Sequence, residues 1–90
     1  MYLHLGQDTI VRKEDIIGIY DMDTSTISKW SREYLSKAEK EKRVVNVSFE
    51  LPKSYVVCKN KNESVETVYI CPLSSQTLLK RLSNDSLFSE

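Results

Sequence analysis

Ninety residues and 10.4 kDa confine this chain to one small domain, and 40% hydrophobic residues make it too apolar for a disordered segment. Thirteen basic residues balance thirteen acidic ones, so the composition lacks the positive excess of a protein that coats nucleic acid. Two glycines, two prolines and two cysteines exclude collagen-like, linker-like and disulfide-scaffold classes.

In chain order, Tyr2–Leu5 reads as a short strand ending at Gly6, with Gly6-Gln7-Asp8 as a turn. The β-branched run Thr9–Arg12 can pair back onto it. Asp15–Tyr20 is a nearly continuous apolar run, the pattern of a central strand buried on both faces. Gly18 inside it marks a bulge or a close backbone approach. Asp23-Thr24-Ser25-Thr26 offers helix caps. Ile27, Trp30, Tyr34, Leu35 and Ala38 then fall at steps of three and four. They predict a helix over about residues 25–42 whose apolar stripe faces the core or another subunit. Val44–Val47 is a short strand followed by a loop that Pro52 helps to fix. Ser54–Lys59 and Glu66–Cys71 predict a hairpin around a polar loop, on which Cys58 and Cys71 can face each other as buried, reduced thiols. A last helix is expected over about 74–83, with Leu78, Leu79 and Leu82 on its apolar edge and 84–90 as a frayed tail. Strands and helices that do not alternate predict an α+β domain over 1–83 with a mainly antiparallel sheet.

Catalytic chemistry has little to stand on. His4 is the only histidine, and it lies in a strand-like run with no nucleophile motif beside it. His4, Cys58 and Cys71 lack metal-ligand spacing, and there is no phosphate loop or dinucleotide fingerprint. Asp21 and Asp23 start like a calcium loop, but no glycine and bidentate glutamate complete one. The expectation is therefore a non-enzyme without cofactor or metal. Met1–Leu5 meets Gly6 and Asp8 before a signal-peptide core can form, and no run approaches the roughly 20 apolar residues of a membrane span. A cytoplasmic protein without membrane contact is expected.

Charge is neutral in total but uneven along the chain. Residues 1–23 hold two basic and five acidic side chains, and residues 24–43 hold six basic and three acidic. An acidic segment beside a basic one suits a head-to-tail contact between copies. The local basic clusters are Arg12-Lys13, Lys29 with Arg32, Lys53 with Lys59 and Lys61, and Lys80-Arg81. A monomer with these would hold DNA weakly, whereas an oligomer repeats them along a duplex.

Four stretches carry a family resemblance: Met1–Gly6 (MYLHLG), Asp15–Asp21 (DIIGIYD), Leu51–Val57 (LPKSYVV) and Tyr69–Arg81 (YICPLSSQTLLKR). Together they resemble the bacterial extracellular-matrix regulators RemA and RemB, with wording closest to the RemB (YaaB-like) branch. The resemblance implies a regulator of biofilm-matrix genes with a fold similar to the LytTR DNA-binding domain. It also implies assembly into homo-oligomeric rings that carry double-stranded DNA around the outside. On that reading Arg12, Lys13 and Lys53 contact phosphates, with Lys29 and Arg32 as weaker contacts. The chain departs from the RemA pattern at three positions. Glu50 and Leu51 stand where RemA carries a pair of arginines, and Asp15 stands where it carries another. These departures set up a second expectation, a non-DNA-binding scaffold or a protein partner of a related regulator.

Overall fold

The computed structural model describes residues 1–22 and 28–88, with side chains to residue 83. Chain order is β1 (Tyr2–Gly6), β2 (Thr9–Arg12), a single 3-10 turn (Lys13–Asp15), β3 (Ile16–Asp21), α1 (Lys29–Lys40), β4 (Val44–Asn46), β5 (Ser54–Cys58), β6 (Thr67–Cys71) and α2 (Ser75–Phe88). The α+β class is as expected.

β1 and β2 form the hairpin expected at the N-terminus, turning at Gly6 and Gln7, both with positive φ. The other four strands form one sheet in the order β3-β5-β6-β4. Its β3–β5 and β5–β6 pairs are antiparallel and its β4–β6 pair is parallel. The chain passes from β4 to its parallel neighbour β6 by way of β5, and α1 spans the sheet from β3 at one edge to β4 at the other.

The sheet is the middle of three layers, which follows from strand alternation. On β5, Val56 and Cys58 face a cluster with Leu3, Leu5 and Val11 of the hairpin and Leu78 of α2. Tyr55 and Val57, pointing the other way, pack with Val68 and with Ala38 of α1. All five residues of β5 are buried.

That burial corrects one expectation. The central strand is β5, and β3 lies at the sheet edge with Ile17, Tyr20 and Asp21 exposed. The apolar run 15–20 misleads because the register slips between Ile16 and Gly18, which turns Ile17 outward as a bulge.

Helix limits also differ from expectation. Residues 23–27, with the candidate caps Asp23–Thr26, lie outside the described residues, and the cap seen is Ser28, whose Oγ accepts from the Ser31 N–H at 3.1 Å. At the far end Lys42 takes a left-handed φ of 60° and the Arg43 N–H reaches back to the Ala38 carbonyl at 2.9 Å. This is a Schellman stop with lysine in the usual glycine place. Of the predicted stripe, Tyr34, Leu35 and Ala38 pack on the sheet but Trp30 is 79% exposed. α2 continues to Phe88, past the end expected at Ser83.

A candidate nucleic-acid interface and an exposed apolar surface

The five cations expected to meet DNA do not form one patch on a single chain. Arg12 ends β2 and pairs with Glu14 at 2.8 Å. That hydrogen bond raises the guanidinium pKa, and it helps the backbone hold the Glu14 carboxyl below its usual range. The pair is solvent-exposed and worth little to stability, but it offsets local positive charge. Lys13 Nζ donates to the Leu82 carbonyl at 3.2 Å, fastening the 3-10 turn to α2.

Lys53 is presented differently. Its side chain is exposed while its backbone is clamped on both sides. Its N–H donates to the Cys71 carbonyl at 2.8 Å, and its carbonyl accepts from the Met22 N–H at 2.9 Å. Lys29 and Arg32 occupy the start of α1, both exposed, with no acidic residue in the first turn. The positive end of the helix dipole opposes cations there, so helix stability does not account for their placement.

Arg12 and Lys13 precede β3, whereas Lys53 adjoins Ser54, which pairs with Asp21 at the end of β3. Six strand residues therefore lie between the two groups, a separation of about 17 Å along the strand. Lys29 and Arg32 sit in the layer formed by α1.

The positions that depart from the RemA pattern are also visible. Asp15 closes the 3-10 turn, and its carbonyl accepts from the Lys59 N–H at 2.8 Å. Glu50 donates its N–H to Ser48 Oγ at 3.0 Å, which stiffens the loop after β4. Leu51 and Phe49 on that loop project into solvent, Leu51 at 80% and Phe49 fully.

A second apolar feature lies on the α1 side of β3. Because α1 packs over β6 and β4, the β3 edge keeps an open groove of about 280 Å³ lined by Ile17, Tyr20, Trp30, Tyr34 and Tyr55. Its floor is ordered: Tyr20 and Tyr55 are stacked at 5.0 Å with a 24° interplanar angle, and Tyr55 Oη donates to Ser31 Oγ at 3.4 Å. At one end the Arg43 guanidinium lies 6.0 Å from the Tyr34 ring centre and donates to Glu66 Oε1 at 2.8 Å. Sequence reasoning missed both features. The available signal was a Phe and a Leu around Glu50, between Ser48 and Pro52 and outside any strand or helix period.

The two thiols do not face each other. Cys58 pairs with Thr67 at one end of the β5–β6 ladder, and Cys71 pairs with Ser54 at the other. Burial pushes the Cys58 thiol up to about 12, with help from the Asp15 charge, and the Cys71 thiol up to about 11. Both are protonated and unreactive at neutral pH. His4 Nε2 donates to the Gln7 carbonyl beside the hairpin turn. Among the described residues no three His, Cys, Asp or Glu side chains gather as metal ligands, and no helix is long and apolar enough to cross a membrane.

Residues 2–82 match the RemA-like family model, described as extracellular matrix regulatory protein A-like. The chain is also similar to extracellular matrix regulatory protein B of Bacillus subtilis (strain 168), 43% identical over 81 residues. That match covers 90% of this chain and 89% of the relative. The family expected from the four sequence stretches is thus the one found, and the chain belongs to the RemA-like family of extracellular-matrix regulatory proteins.

Proposed function

We propose that this chain is a cytoplasmic, non-enzymatic transcriptional regulator of extracellular-matrix genes that binds double-stranded DNA as a homo-oligomer. The observation that carries the reading is the presentation of Lys53. It is an exposed cation on clamped backbone, with no ion pair among the described residues. Lys29 and Arg32 join it as cations that helix stability does not explain. Arg12 and Lys13, already engaged with Glu14 and Leu82, make secondary contacts. The LytTR-like arrangement and the ring implied by the family resemblance belong to this proposal.

Three cations per chain give a counterion-release slope of only about −2.7 in log K against log[salt], too shallow for tight binding by one subunit. Repetition along a duplex multiplies it. The test is DNA binding by fluorescence anisotropy across a salt series, on protein of known mass in solution. The expected slope exceeds one chain's share. Lys53→Glu with Lys29→Glu should weaken binding to all sequences alike, and more than Arg12→Glu with Lys13→Glu does. No binding at low salt would refute DNA contact. It would favour the second reading, an oligomeric scaffold or partner of a related regulator, for which the acidic and apolar pair Glu50-Leu51 speaks.

A further inference from the structure

We infer that the exposed loop of one copy, Phe49 to Leu51, docks in the aromatic groove of the next copy. This rests on the oligomeric reading above and names its seam. The loop carries two large apolar side chains that project into solvent, on backbone stiffened by the Ser48–Glu50 bond and Pro52. A preorganised apolar knob loses little entropy when it binds. The groove offers Ile17, Tyr20 and Trp30, all exposed, over an ordered Tyr20–Tyr55 floor. Aromatic side chains around an open apolar surface are the composition of a contact that proteins use.

Charge selects a second copy as the occupant. The loop's one charge is Glu50; Glu66, the one charged residue lining the groove, is held by Arg43, and exposed Lys29 and Arg32 flank Trp30 at its mouth. Zero net charge removes general repulsion between copies. The chain does not fill its own groove. Phe49 is fully exposed and Leu51 80% exposed, so neither is seated in it. The contact is heterologous, and copies add head to tail.

The seam has a consequence for the basic residues. Docking brings Lys53, two residues beyond Leu51, alongside the α1 start of the neighbouring copy, with its Lys29 and Arg32. Glu50 then sits among these cations and offsets their repulsion.

A loop in a groove is a small interface, so the seam is weak and the assembly depends on concentration. Sedimentation velocity at high-micromolar concentration tests it. Wild type should sediment as species heavier than one chain. Phe49→Asp with Leu51→Asp, and separately Trp30→Asp with Ile17→Asp, should each sediment as monomers, with seam affinity reduced at least about tenfold. The altered side chains are exposed, and unchanged circular dichroism and melting confirm the fold. An equimolar mixture of the two variants should form a complex of two chains and no larger, since each retains one intact half. A monomeric wild type, variants that assemble like wild type, or a mixture that stays monomeric would each overturn the inference. If wild type assembles through this seam yet binds no DNA, the seam stands and the DNA-binding reading fails.

Discussion

Gly18→Ala probes how the groove floor is built. A Cβ at position 18 would stand 2.5 and 2.6 Å from Cζ and Cε2 of Tyr20, whose ring folds back over the glycine. The ring is the mobile partner, because Tyr20 lies on the edge strand and is 44% exposed. It must swing away, and it then loses its 5.0 Å stack on Tyr55, worth about 0.5–1.5 kcal/mol beyond the buried area. Against this, alanine gains about 0.4–1 kcal/mol by narrowing the unfolded ensemble. The mid-range values leave a net loss of about 0.3 kcal/mol in the wild-type background. With Tyr20→Ala already in place the clash is gone, and Gly18→Ala should stabilise by about 0.4–1 kcal/mol. A double-mutant cycle from urea unfolding reads the coupling, expected at about 0.5–1.5 kcal/mol, the worth of the lost stack. Additivity within about 0.3 kcal/mol would refute the claim that position 18 is kept bare for the Tyr20 ring.

Arg43→Met should cost about 1–2 kcal/mol, because Nε donates to Glu41 at 2.7 Å and Nη1 to the Glu66 carbonyl and carboxylate, both at 2.8 Å, in a side chain only 11% exposed. Glu41 and Glu66 are one-third to one-half exposed, which holds the cost below that of a buried pair. A denaturation midpoint unchanged from wild type would show that water screens the pair. The buried thiols predict alkaline weakening. Their folded pKa values of about 12 and about 11 lie above the ordinary 9.0, so the unfolded chain sheds protons that the native chain keeps. Their contribution is complete below pH 9 and falls as the pH rises, by about 1 kcal/mol per thiol between pH 9 and 10. Unfolding midpoints at pH 8, 9 and 10 measure this, and an equal alkaline loss in the Cys58→Val, Cys71→Val variant would refute it.

What was legible in the sequence followed local periodicity. The hairpin at residues 2–12, the apolar stripe of Tyr34, Leu35 and Ala38, and the paired runs at Ser54 and Thr67 all appear where alternation and helical spacing place them. What was not legible depends on which neighbour a strand acquires. Asp15–Tyr20 has the apolar content of a central strand, but position in a sheet is a tertiary property. The bulge turns Ile17 outward, and the edge position leaves Tyr20 exposed. Trp30 failed for the same reason. Its place in the stripe is correct, but α1 crosses toward β6 and β4, so the stripe's first turn overhangs the open β3 edge. The two misplaced predictions, Ile17 and Trp30, therefore meet at a single surface.

That coincidence bears on why the chain is neutral. A regulator that met DNA as a monomer would need its cations gathered on one face, and here Arg12 and Lys13 precede the start of β3 while Lys53 adjoins its end, about 17 Å along the strand. The family resemblance places arginines where this chain has Glu50 and Leu51. An acidic and an apolar residue there remove the phosphate contacts that the arginines imply, and the inferred seam gives Leu51 a protein contact instead. If the seam proposed above forms, the exchange moves positive charge from one loop to the junction of two chains, where Lys53 of one copy joins Lys29 and Arg32 of the next. DNA affinity then becomes a function of assembly. Dilution below the seam's dissociation constant should release DNA and subunits together, in one transition rather than two. Two separate transitions on dilution, with DNA still held by the monomer, would show that the single chain carries the interface by itself.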